Sequence, residues 1–118
     1  MRITSEAVRD ALLRALADDY SRKILLVTLR VARSVEELSQ TENIPISTAY
    51  RRVNEMTQNG LLAVEKTILT DDGKKFELYR SAFRTIHVGL EQGEINLDVE
   101  LNEDIATRLS RLWASMRS

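Results

Sequence analysis

Ser34-Val35-Glu36-Glu37-Leu38-Ser39-Gln40, then Thr41-Glu42-Asn43-Ile44-Pro45, then Ile46-Ser47-Thr48-Ala49-Tyr50-Arg51-Arg52-Val53-Asn54-Glu55-Met56-Thr57-Gln58-Asn59-Gly60-Leu61-Leu62 is the run that decides the fold. Ser34 and Glu37 stand at capping-box spacing: the hydroxyl accepts from the third backbone amide while the carboxylate reaches back to the amide of the cap residue. A short helix therefore runs to about Gln40, and the polar break Thr41-Glu42-Asn43 ends it. From Ser47 to Gln58, Ala49, Val53 and Met56 recur at spacings of four and three, which predicts a helix with one apolar face. Pro45 sits just before or at its start, where a missing amide costs little, and Asn59-Gly60 tolerates the left-handed cap at its end.

Upstream, Ser5 precedes Val8, Ala11, Leu12, Ala15 and Leu16 and predicts a first amphipathic helix. Ile24, Leu25, Val27 and Thr28 form a second, capped by Asp18 or Asp19, with an acidic start and Arg30 at its end, as the helix dipole favours. Downstream the period changes to two. Leu62, Val64, Thr67, Ile68 and Leu69 precede Asp71-Asp72-Gly73-Lys74, and Phe76, Leu78 and Tyr79 follow, a strand, a turn and a strand. Ile86, Val88 and Leu90, then Ile95, Leu97, Val99 and Leu101, alternate about Glu91-Gln92-Gly93 as a second hairpin. Asn102, Glu103 and Asp104 open a last helix whose apolar stripe is Ile105, Leu109, Leu112, Trp113 and Met116.

Two short helices, a tight break, a closing glycine and a strand hairpin are the order of a winged helix-turn-helix. The expected fold is thus α+β, mainly α: a winged helix-turn-helix with an additional C-terminal β-hairpin and a C-terminal dimerisation helix. One domain is expected over residues 1–118, with residues 1–19 as an N-terminal helix, 20–84 as the helix-turn-helix core, and 85–118 as second hairpin and dimerisation helix.

Composition agrees with one folded domain. The chain has 118 residues, 43% of them hydrophobic and 30% charged, with 4 Gly and 1 Pro, enough to bury roughly two-thirds of its unfolded surface. Its net charge of -1 announces no polyanion partner, yet residues 20–90 carry 11 basic and 8 acidic residues and residues 91–118 carry 3 and 6, so the centre is basic relative to its flanks. With 0 Cys, disulfides, thiolate metal sites and a cysteine nucleophile are excluded. The longest apolar runs, such as Ile24-Leu25-Leu26-Val27, are too short for a bilayer, and Met1-Arg2-Ile3-Thr4-Ser5-Glu6 has no apolar signal centre. A cytoplasmic protein with no membrane partner is expected.

Ala17-Asp18-Asp19-Tyr20-Ser21-Arg22-Lys23-Ile24-Leu25 resembles the aspartate, arginine and isoleucine-leucine signature that opens the second helix of ArsR-like archaeal and bacterial transcription regulators. Ile44 to Met56 and Asn59-Gly60-Leu61-Leu62 resemble that family's recognition helix and closing turn. The resemblance covers roughly residues 17–84. It implies a homodimeric regulator of transcription that binds double-stranded DNA, with the first and last helices forming the dimer contact, here Leu12, Ile105, Leu109, Leu112, Trp113 and Met116. The chain departs from the metal-sensing branch of the family, whose thiolate ligands it lacks. Neither a metal nor a cofactor is expected, and any small-molecule effector is unassigned.

On a recognition helix that buries Ala49, Val53 and Met56, the residues Ser47, Thr48, Tyr50, Arg51, Arg52 and Asn54 are the candidates for DNA contact. Arg51 suits bidentate pairing with guanine O6 and N7, Tyr50 a thymine methyl or a phosphate, and Ser47 and Thr48 phosphates. Arg51 and Arg52 point about 100° apart, so at most one reaches base edges, leaving the other to the backbone or an internal carboxylate. Lys74 and Lys75 at the hairpin tip, assisted by Lys66, are placed for the adjacent backbone or minor groove. One histidine, His87, among scattered carboxylates makes a poor metal site. No phosphate loop, nucleophile–base pair or histidine cluster marks an enzyme. The alternative reading is a winged helix that docks on another protein of a transcription or nucleoprotein complex without reading sequence.

Overall fold

A computed structural model describes residues 1–103 of the chain. Four helices, α1 (Glu6–Ala17), α2 (Asp19–Val27), α3 (Val35–Thr41) and α4 (Ile46–Gln58), precede four strands, β1 (Leu62–Leu69), β2 (Lys75–Ser81), β3 (Phe83–Glu91) and β4 (Glu94–Leu101). The fold is α+β. Helices of 12, 9, 7 and 13 residues stand against strands of 8, 7, 9 and 8, so among the described residues the two kinds are closer to balance than a mainly α reading expects. The expected last helix, with Ile105, Leu109, Leu112, Trp113 and Met116, lies outside the described residues.

The helix starts follow the local chemistry. Ser5 accepts from the Val8 amide at 3.3 Å and Asp18 from the Ser21 amide at 2.9 Å. Ser34 and Glu37 close the full capping box, at 3.1 and 3.3 Å. Between α3 and α4, Asn43 takes a left-handed conformation (φ 54°), and Ser39 Oγ donates to the Ile44 carbonyl at 2.6 Å, which ties the break shut. At the end of α4, Gly60 (φ 77°) makes a Schellman closure: the Leu61 amide reaches the Met56 carbonyl at 2.8 Å and the Gly60 amide that of Thr57 at 3.2 Å. Leu61 and Met56 are both buried, so the closure also seals the core.

β1 and β2 pair antiparallel, and a bulge at Glu65 turns its side chain to Arg80, Nη1 to Oε1 2.7 Å. Arg80 is buried, and its Nε donates to the Leu29 carbonyl at 2.9 Å, so the guanidinium joins the sheet to the loop after α2. Arg33 bridges Tyr79 on the other side of β2, with amide to carbonyl distances of 3.0 and 2.8 Å, which anchors the entry to α3 on the hairpin.

β3 and β4 form a separate hairpin whose turn residues Gln92 and Gly93 both have positive φ, the geometry of a tight two-residue turn. β3 begins at Phe83, so the expected boundary between residues 84 and 85 falls inside a strand. Met1 to Ile3 lie along β4, with the Ile3 amide on the Leu97 carbonyl at 2.9 Å and the Val99 amide on Met1 at 2.7 Å. The two ends of the described chain therefore meet, a pairing that three residues of sequence did not announce.

The core gathers α1, α2, α3, α4 and the bases of both hairpins: Leu12, Ile24, Leu38, Val53, Leu62, Phe83 and Leu97 are wholly enclosed. Leu12 corrects the expectation of a dimer contact. At 0% exposure it faces inward with Val8, Ala11 and Ala15, and has no surface to give a partner. No helix among the described residues is long and apolar enough to cross a membrane.

Candidate nucleic-acid interface

α4 buries Ala49, Val53 and Met56 against the core, and this fixes what faces out. At about 100° per residue, Ser47, Tyr50, Arg51, Asn54 and Gln58 fall within one outer arc, and all five are exposed. Gln58 joins this stripe; the sequence reading named the other four, together with Thr48 and Arg52. Its signal was the same helical period, four residues beyond Asn54. Arg51 meets no carboxylate among the described residues, so its fork is available to a ligand. Thr48 lies to the side and is half-buried.

Pro45 precedes α4 and makes no side-chain cap hydrogen bond, whereas Ser5, Asp18 and Ser34 cap the other three helices. The first amides of α4 are thus left for an outside acceptor, beside Ser47, and a helix N-terminus favours an anion there.

Arg52 is elsewhere. Its Nε and Nη2 hold both oxygens of Asp18 at 3.0 and 3.1 Å, and Glu55 lies 3.9 Å from its Nη1. The expected DNA contact is corrected to an internal tie, because the helix rotation that exposes Arg51 carries Arg52 back toward the α1–α2 junction. Burial alone would raise the Asp18 pKa. The backbone and hydroxyl of Ser21 and the Arg52 guanidinium outweigh that and hold the carboxyl below its ordinary value. One carboxylate thus caps α2 and clamps α4.

Tyr50 is 43% exposed, but its hydroxyl donates to Glu36 of α3. This carboxylate, then burial, raises the Tyr50 pKa. The phenol is therefore an oriented group rather than a free one. Tyr50 and Lys75 line one cleft of about 210 Å³ between α3, α4 and β2, together with Glu36, Glu77 and Tyr79. The structure thus brings a helix residue and a hairpin residue of the expected set together, with two carboxylates between them. Lys75 lies 3.9 Å from Glu77.

Burial, then the hydrogen bond to Glu77 at 2.9 Å, pushes the Tyr79 pKa up from 10.0 to about 12. The folded chain therefore prefers the neutral phenol, while the unfolded chain ionises near the ordinary value. Stability from this group is whole below pH 10.0 and is lost as pH rises toward about 12. Tyr79→Phe is expected to flatten the alkaline fall in urea midpoint over that range; an unchanged slope contradicts the assignment.

At the tip of the first hairpin, Thr70 pairs with Lys74 across Asp71-Asp72-Gly73, and Gly73 (φ 83°) closes the turn onto the Thr70 carbonyl at 3.0 Å. Lys74 and Lys75 are exposed there, and so is Lys66 on β1. Asp71 and Asp72 match the two lysines charge for charge, so the tip is not a basic patch in sum. An apolar cleft of about 260 Å³ between α2 and β3, lined by Leu16, Leu25, Leu26, Leu29, Phe83 and Ile86, lies apart from this surface.

Compared with known proteins, the chain matches no family model and no curated protein.

Proposed function

We propose that the chain is a sequence-specific, double-stranded DNA-binding regulator of transcription, a winged helix-turn-helix acting as a homodimer and not as a catalyst. One observation carries the reading: the outer face of α4 presents Ser47, Tyr50, Arg51, Asn54 and Gln58 in a single stripe beside an uncapped helix start. Polar side chains with fork geometry read base edges in a major groove, and free helix amides take a phosphate. Lys66, Lys74 and Lys75 on the first hairpin supply backbone contacts at its flank.

The test is selection of bound duplexes from a random pool, followed by anisotropy over a salt series. The expected product is an inverted repeat with half-sites about 34 Å apart. The affinity for it should fall with salt by a log–log slope of about -0.9 for each phosphate contact. Failure to enrich any sequence at low salt sinks the reading. In that event a docking surface for another protein takes its place, favoured by Glu36 and Glu77 beside Tyr50 and by Asp71 and Asp72 at the hairpin tip.

A further inference from the structure

The second hairpin is amphipathic from base to tip. Cross-strand partners Ile86 and Val99, Val88 and Leu97, and Leu90 and Ile95 share one face; Thr85 and Glu100, His87 and Asp98, and Glu91 and Glu94 share the other. The apolar face is covered at its base, where Leu97 and Val99 are buried, and bare toward its tip, where Val88 is 53% and Leu90 79% exposed. Exposed apolar strands of this kind are ready templates for pairing.

The two edges of this hairpin differ. β4 carries Met1–Ile3 on its outer side, whereas β3, among the described residues, pairs with β4 alone. Open edges are commonly blunted by Lys or Pro. β3 has neither, and its bulge lies at the base, between Phe83 and Thr85. Gly89 sits mid-strand, where a Cβ would meet nothing nearer than the Asn96 carbonyl oxygen at 3.9 Å. The chain's own packing therefore does not ask for a glycine there, and an interior strand glycine commonly marks the close approach of another backbone.

From this edge we infer that β3 is a self-association surface, on which a second copy of the chain adds its own β3 antiparallel about a two-fold axis. Charge selects the occupant. On the polar face Glu91, Glu94, Asp98 and Glu100 outnumber Arg2 and Arg84, which pair with Asp98 and Glu100, so the face is acidic in sum and does not favour a nucleic acid. Arg84 at the base and Glu91 at the tip of the same edge are complementary only to an antiparallel copy. A parallel copy would set Arg84 against the partner's Arg84 and Glu91 against the partner's Glu91. In the antiparallel register centred on Val88, Ile86 lies beside the partner's Leu90, Glu91 lies beside the partner's Thr85 and so one residue from the partner's Arg84, and the bare apolar stripe continues across the axis. Such a contact is isologous, so it closes at two copies.

The inference rests on the homodimer of the proposed function and gives it an interface. Its test is mass by sedimentation equilibrium of the full chain at micromolar concentration, without DNA. The wild type is expected at twice 13.5 kDa. Val88→Lys and Leu90→Lys, at exposed positions that leave the core intact, are expected to weaken the dimer about tenfold or more, with an unchanged circular dichroism spectrum. Arg84→Glu and Glu91→Arg should each weaken it severalfold, and the double exchange should restore it. Restoration is the decisive arm, because Arg84 also pairs with Glu100 within its own chain. A monomeric wild type overturns the inference, as does a dimer indifferent to both lysine variants. Since no DNA is present, a dimer that loses mass in the variants but selects no duplex sinks the DNA reading and leaves the interface standing; selective DNA binding by a monomer does the reverse.

Discussion

Phe83→Ala is expected to cost about 3–5 kcal/mol of folding free energy, the range for removing a large aromatic ring from a close-packed interior. Phe83 is 1% exposed and, among the described residues, heads the fully buried side chains by volume. Its position explains the expected size. The Ala82 amide beside it bonds the Leu61 carbonyl at 2.9 Å, the Ala82 carbonyl takes the Asn102 amide at 2.8 Å, and Phe83 itself faces Leu101 across β3 and β4. The ring thus lies where the first hairpin, the second hairpin and the turn after α4 converge, and backbone bonds fix all three around it. Little collapse into the space is possible, which places the cost toward the upper part of the range. Since a domain of this size holds about 5–15 kcal/mol in all, the variant should unfold at a much lower urea concentration, read by circular dichroism. Phe83→Leu, which retains most of the volume, should lose far less. A loss below about 1 kcal/mol for the alanine variant would mean that the hairpins do not share this core.

The contrast between Phe83 and the helix caps shows what was legible. Ser5, Ser34 and Gly60 act on atoms within five residues of themselves, so their sequence spacing is their geometry, and caps, turn and hairpin tips follow from it. The inward face of α4 was readable for the same reason, through a period of 3.6. Arg52 and Asp18 are 34 residues apart, Tyr50 and Glu36 14, and Arg2 and Asp98 96. Such pairs depend on how elements stack, which no local period records. The Leu12 error has the same root. An apolar stripe on α1 states that one face is covered, but not whether the cover is the chain's own core or a partner. For the candidate site, the period separated Arg51 from Arg52 by direction, and only the placement of Asp18 decided which of the two was engaged internally.

That separation yields the second large effect. If α4 reads DNA as proposed, Arg51→Ala is expected to remove about 1–3 kcal/mol of discrimination at one base pair, roughly 5- to 150-fold, because a guanidinium fork on guanine O6 and N7 would be lost whole. The loss should appear as relaxed preference at that position in anisotropy titrations against duplexes substituted one base pair at a time. The salt slope should scarcely change, since a base contact releases few counterions. Alanine at Lys66, Lys74 or Lys75 should do the opposite, lowering affinity for every duplex alike and reducing the slope by about one per lost phosphate contact. Arg52→Ala provides the internal comparison. It leaves Asp18 without its guanidinium partner while the Ser21 cap persists, so it should lower stability and spare base preference. If Arg51→Ala binds every substituted duplex as the wild type does, the outer arc of α4 does not read sequence. If Arg52→Ala rather than Arg51→Ala relaxes a base position, the clamp opens on DNA and α4 rotates to present the other arginine.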